Sequence, residues 1–113
     1  MTGATFETTW LSLPELVEAT GEPLSRIRRL LDERQLIGSR REGSLKVPAA
    51  FLVEGEPLGS LRGTVIVLHD RGFTDDEAID WLLAPEDSIG IPPLEALRAG
   101  RKSEVRRVAQ SLG

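Results

Sequence analysis

Between Leu13 and Pro48 the apolar positions form two clusters at helical spacing, separated by a glycine, and then a short stretch that alternates residue by residue. Leu13, Leu16, Val17 and Ala19 make the first stripe and Gly21 ends it. Ser12 and Glu15 stand at the spacing of a capping box, in which each side chain satisfies a backbone N–H of the other residue. Pro14 falls in the first turn, where its missing donor has no intrahelical acceptor. Pro23, with its fixed φ, opens a second helix whose apolar residues Leu24, Ile27, Leu30 and Leu31 cover one face. Opposite them fall Ser25, Arg29 and Glu33, with Arg26 and Arg28 on the flanks. Ile37 to Arg41 and Ser44 to Pro48 then read as a hairpin around Glu42-Gly43, since Gly43 can take the positive φ of a short loop. Leu45 and Val47 alternate with Ser44 and Lys46, as a half-buried strand requires.

The second half continues in helices. Ala49 to Val53 is an apolar segment that should lie beneath the first unit, and Glu54-Gly55-Glu56-Pro57 is the best internal boundary. Leu61, Val65 and Leu68 predict a helix from about Ser60 to His69, although the β-branched run Thr64 to Val67 also suits a buried strand. Helix is preferred because no partner strand follows. Thr74 and Glu77 form a second capping box over a helix reaching Leu83, with Ile79, Leu82 and Leu83 inward. A short helix over Leu94 to Ala99 precedes a last one from about Arg101 to Leu112, striped by Val105, Val108, Ala109 and Leu112. The polar, threonine-rich start up to Thr9 has no periodicity and reads as a mobile tail, anchored by Trp10 and Leu11.

Charge adds a functional direction. The 113 residues carry a net −4, yet Pro23 to Pro48 holds seven basic residues (Arg26, Arg28, Arg29, Arg34, Arg40, Arg41, Lys46) against three acidic ones. An acidic chain that gathers its positive charge on one small unit has a candidate polyanion-binding face. The competing explanation is a solvated helix with i,i+4 pairs Arg28–Asp32 and Arg29–Glu33. A second basic cluster, Arg101, Lys102, Arg106 and Arg107, either adds phosphate contacts or pairs with the acidic helix that starts at Asp75.

Other chemistry has little support. There is no cysteine, so neither disulfides nor thiol chemistry is available. Asp75, Asp76, Glu77 and Asp80 match no calcium loop and read as capping charge, so no metal is expected. His69 is the single histidine and lacks a nucleophile or oxyanion arrangement in sequence. Without an apolar leader or a long apolar run, neither secretion nor a membrane span is expected, which leaves the cytoplasm and the nucleoid.

The expected architecture is mainly α: a winged helix-turn-helix with a small β-hairpin wing, followed by a helical C-terminal region. Its expected parts are a flexible tail over 1–9, a DNA-binding domain over 10–57 and a helical domain over 58–113 packed on it. The stretch LPELVEATGEPLSRIRRLLDERQLIGSRREGSLKVP resembles the MerR/excisionase branch of winged helix-turn-helix proteins. With VLHDRGFTDDEAIDWLLAP, PLEALRAG and EVRRVAQ, the chain from Trp10 to Leu112 is similar to the small actinobacterial winged-helix DNA-binding proteins, a group that includes a mycobacterial Ser/Thr-kinase substrate. The resemblance implies a DNA-binding regulatory protein with no enzymatic activity and no cofactor. Its contacts with double-stranded DNA would fall on Ser25, Arg26, Arg28, Arg29, Arg40, Arg41 and Lys46. It also implies a Ser/Thr kinase as a candidate partner, with Thr5, Thr8 and Thr9 as candidate phosphoacceptors. No heptad or long dimer helix is visible, so a monomer is expected. The run W-L-x-x-P…P-L-x-x-L…V-x-x-x-A resembles the toxin-binding region of Xre/ParS-type antitoxins, which makes a protein-docking module the alternative.

Overall fold

Ser12 sits in extended backbone (φ −72°, ψ 171°) and its N–H donates to Glu15 Oε1 at 2.8 Å, while the Glu15 N–H donates to Ser12 Oγ at 3.3 Å. This reciprocal cap starts helix α1 (Leu13–Thr20), and Gly21, at φ 74°, ends it by donating its N–H to the Val17 carbonyl. The computed structural model that shows this describes residues 6–112. Before α1, Trp10–Leu11 forms strand β1; after the Gly21 turn comes helix α2 (Leu24–Asp32). Strand β2 (Val47–Pro48), a 3-10 turn (Ala49–Phe51), β3 (Leu52–Val53) and β4 (Glu56–Pro57) follow. The remainder is helical: α3 (Leu61–Asp70), α4 (Asp75–Leu83), α5 (Pro93–Arg98) and α6 (Lys102–Gln110).

Two compact units divide the chain, one over Thr8–Arg62 and one from Gly63 onward together with N-terminal residues up to Glu7. The division falls within α3, whereas the sequence placed a boundary at Glu54 to Pro57. Those residues are the turn and second strand of a hairpin: β3 pairs antiparallel with β4, and Glu54 (φ 51°) and Gly55 (φ 78°) both adopt the positive φ of a two-residue connection.

The core of the Thr8–Arg62 unit comprises Leu16, Ile27, Leu30, Leu36, Ile37, Val47, Phe51 and Leu61, all nearly or fully buried. Each large side chain so buried contributes about 1.5–3 kcal/mol. Leu13 and Val17 are half-buried, and Ala19, expected inward, is exposed. The first strand pair corrects another expectation. β2 pairs with β1 (Trp10↔Pro48, Leu11↔Val47), not with Ile37-Gly38, so the expected hairpin is reduced to one bridge, Ser39↔Lys46.

This pairing also ties down the start of the described chain. Thr9 O accepts from the Ala49 N–H at 2.8 Å, and Thr8 Oγ1 accepts from the Ala50 N–H at 2.9 Å. Phe6, in the other unit, donates its N–H to Leu83 O at 2.7 Å. From Phe6 to Thr9, therefore, backbone and hydroxyl bonds replace the expected mobile tail, and residues 1–5 lie outside the described residues.

In the second unit Val65, Leu68, Ile79, Leu82, Leu94, Val105 and Ala109 form the core, so the β-branched run of α3 is helical as its i, i+4, i+7 spacing predicts. Thr74 and Glu77 form the predicted box at the head of α4. His69 Nε2 lies 2.8 Å from Asp75 Oδ1, linking the end of α3 to the first turn of α4. Val108 and Leu112 of the α6 stripe are only half-buried. No helix among the described residues is long and apolar enough to cross a membrane.

Candidate nucleic-acid interface

Helix α2 is amphipathic because its two buried residues, Ile27 and Leu30, are three apart and leave the opposite side to charge. Ser25, Arg28 and Arg29 are exposed and Arg26 is half-buried. Arg26, Arg28, Arg29 and Arg40 make no side-chain hydrogen bond or ion pair with any described residue. The i,i+4 pairs Arg28–Asp32 and Arg29–Glu33 are accordingly not formed. Glu33 Oε1 accepts from Gln35 Nε2 at 2.9 Å instead. These guanidiniums stand in water without internal neutralisation, as a phosphate- or base-contacting face requires.

The far end of α2 is held from two directions. Arg34 occupies the left-handed region (φ 61°), which lets its N–H reach Leu31 O at 3.1 Å and the Gln35 N–H reach Leu30 O at 2.9 Å. Both bonds satisfy carbonyls that a helix C-terminus leaves open, in the Schellman pattern. Arg62, from the first turn of α3, donates its Nε–H to Glu33 O at 2.9 Å. Arg62 carries no periodic signal in sequence, and nothing short of the fold brings it to α2.

The wing is built on Ser39 and Lys46, whose backbones exchange two bonds of 2.9 Å. Gly38 permits this closure, since a Cβ there would lie 2.8 Å from Lys46 O. Gly43 takes φ 104° at the tip, as predicted. Arg40 and Arg41 are exposed, but Arg41 is not free. Its Nε donates to Ser39 Oγ at 2.9 Å, and its guanidinium lies 5.3 Å from the centre of the Trp10 ring. That distance suits a cation–π contact and fixes the charge over the wing rather than leaving it to swing. Trp10 is thus a partner of the wing as well as an anchor. Lys46 Nζ lies 3.9 Å from Glu42 Oε1, an exposed pair worth little. The Lys46 charge also reaches Glu15.

The second basic cluster is largely committed elsewhere. Arg101 Nε donates to Glu104 Oε1 at 2.8 Å, and its Nη2 to Ile89 O at 3.3 Å. The hydrogen bond from Arg101 holds the Glu104 carboxyl below the ordinary carboxylate range. Arg106 lies over Gly63 and reaches Thr64 Oγ1 at 3.5 Å. Of the four cluster members, Lys102 and Arg107 are left exposed. Of the candidate phosphoacceptors, Thr8 is half-buried, donates its hydroxyl to Thr9 O at 2.9 Å and accepts from Ala50, so its oxygen is already engaged. Thr9 is exposed, and Thr5 lies outside the described residues. No group of three or more acidic or histidine side chains among the described residues could hold a metal ion.

A turn-linked helix pair, with outward arginines on its second helix and a short basic wing closed against an antiparallel strand pair, defines a winged helix-turn-helix protein. The chain belongs to the Rv2175c family. Residues 5–52 match the family model described as DNA-binding protein Rv2175c, wHTH domain, and residues 58–113 match that described as Rv2175c C-terminal domain of unknown function. The chain is similar to DNA-binding protein Rv2175c of Mycobacterium tuberculosis (strain ATCC 25618 / H37Rv), at 34% identity over 113 residues, covering 88% of this chain and 77% of that protein. It is also similar to the NMR structure of Rv2175c, with a TM-score of 0.82 and 31% identity, covering 93% of this chain and 81% of the other.

Proposed function

We propose that this protein binds duplex DNA as a regulator of transcription or of nucleoid structure, with α2 in the major groove and the wing over the backbone or minor groove. The observation that carries this reading is the set of outward guanidiniums, Arg26, Arg28, Arg29 and Arg40, which no described carboxylate neutralises. Ser25, Arg41 and Lys46 complete the surface. Recognition helices contact base edges with their N-terminal residues, which is where Ser25 stands, with Arg28 at the middle of α2 and Arg29 in its last turn. The name of the relative, a DNA-binding protein, agrees with this reading. The MerR/excisionase resemblance adds a regulatory role. Association as a monomer is favoured because α3, at 10 residues the longest helix among those described, offers no coiled-coil seam. If a Ser/Thr kinase acts on the N-terminal segment, Thr5 and Thr9 are the better acceptors, since the Thr8 hydroxyl is already bonded at both ends.

The test is an NMR titration of the full chain with a mixed-sequence duplex at two salt concentrations. Amides between Leu24 and Val47 should shift. With about four to six phosphates neutralised, log K should fall against log salt with a slope of roughly −4 to −5. Salt-independent binding, or no shifts on adding duplex, would overturn this reading, whereas substitutions on the exposed face of α4 that abolish function while duplex affinity survives would favour a protein-docking module.

A further inference from the structure

Leu24 is the one large apolar side chain exposed among the described residues, at 42%. The apolar spacing of α2 assigned it to the core, but its position on the helix explains why it is not there. At 100° per residue, Leu24 lies about 90° from the line midway between Ile27 and Leu30, and only about 40° from Arg28. It therefore stands at the first helical position, beside exposed Ser25 and one turn before unpaired Arg28, on the flank of α2 that carries Arg28. Scattered surface leucines are ordinary. This one sits at the N-terminal end of a recognition helix, among the residues that reach base edges in this class.

We propose that Leu24 is a specificity-determining residue that recognises the 5-methyl group of a thymine in the major groove. The inference rests on the duplex-binding reading above. Among the four bases only thymine presents an apolar group on that edge. A leucine has neither donor nor acceptor, so against a cytosine amino group or a guanine carbonyl it would strip water and give no bond in return. Arg28 can address guanine bidentately. Four residues of helix advance about 6 Å, and successive base pairs lie about 3.4 Å apart. The guanine read by Arg28 then falls one or two base pairs from the thymine read by Leu24. Ser25, small and exposed, leaves room for the helix to approach.

The experiment selects bound sequences from a duplex library with a randomised core, using the full chain, Leu24→Ala, Leu24→Met and Arg28→Ala. The unaltered chain should enrich thymine at one position, with guanine close by. Replacing that thymine with deoxyuracil removes only the methyl group and should weaken binding about fourfold, the equivalent of burying one methyl. Leu24→Ala should lose the thymine preference, become insensitive to deoxyuracil and keep the guanine preference; Leu24→Met should keep both. Because Leu24 is exposed, these variants should retain the native amide spectrum, which is recorded alongside. Salt-dependent binding with no thymine preference, or a deoxyuracil penalty that persists in Leu24→Ala, overturns the role of Leu24 and leaves duplex binding standing. Failure of the unaltered chain to bind any duplex overturns both.

Discussion

The Glu15 carboxylate shows how much one residue can report at this scale. It accepts the Ser12 backbone N–H, and this bond, followed by the Ser12 side chain, holds the carboxyl below the ordinary carboxylate range; the Lys46 charge adds to the effect. The folded value therefore lies below the unfolded one. As pH falls from the unfolded value through the folded value, the unfolded chain binds a proton that the folded chain does not, and stability is lost. Above the unfolded value the contribution is fully present. Urea unfolding followed from neutral pH down through the carboxylate range should thus show an acid-side decline that is shallower in Ser12→Ala. Because Glu15 is exposed, the difference should be small and should shrink with salt. An identical pH slope in the two proteins would show that the cap is not coupled to the ionisation of Glu15. Glu104 titrates in the same sense through Arg101, and it serves as the internal reference because Ser12→Ala leaves it untouched.

Among the elements, the wing is the most dependent on a single backbone position. A Cβ on Gly38 would lie 2.8 Å from Lys46 O, 3.0 Å from Leu45 Cδ1 and 3.2 Å from Val47 Cγ2. The first is a backbone atom that cannot rotate away, so Gly38→Ala must push the two arms of the wing apart. Overpacking of this kind costs about 1–3 kcal/mol. The urea midpoint should fall, and the amides of Ser39 and Lys46, which carry the bridge, should lose protection from hydrogen exchange. Unchanged protection would mean that the wing relaxes without opening. The same element marks where sequence reasoning stopped. Both capping boxes, the Gly21 and Gly43 turns and the helical nature of α3 were legible, because each depends on residues within a few positions of one another. The β1–β2 pair was not, since Trp10 and Leu11 meet Pro48 and Val47 across the whole helix pair and two-residue strands carry no periodicity. The turn at Glu54-Gly55 was legible, but the strand pair that it joins was not, for the same reason. In the candidate site, the outward arginines of α2 followed from the Ile27 and Leu30 spacing. The exposure of Leu24, the stacking of Arg41 on Trp10 and the reach of Arg62 to Glu33 depend on tertiary placement.

On the scale of the whole molecule, charge is divided between the two units. Thr8–Arg62 holds eight basic and eight acidic residues, whereas the other unit holds six and ten, so the net −4 of the chain belongs entirely to the latter. Within the first unit the positive charge is gathered again, seven of its eight basic residues lying between Pro23 and Pro48. A polyanion approaching the chain is therefore attracted by one short segment and repelled by the acidic unit. The basic residues of α6 alter this little, because Arg101 is bonded to Glu104 and Ile89 and Arg106 lies over Gly63. Lys102 and Arg107 face the solvent with nine-tenths or so of a counterion each to release at most. A double variant Lys102→Ala/Arg107→Ala should consequently leave both duplex affinity and the salt slope unchanged. Arg28→Ala/Arg29→Ala should reduce the magnitude of the slope by up to about 2 where both side chains contact phosphate. If one of the two reads a base, the slope should change by about half as much, while affinity falls in a sequence-dependent way by about 1–3 kcal/mol. A reduced slope in the α6 variant would instead extend the binding surface to the second unit, and that unit's acidic residues would then have to lie away from the DNA path.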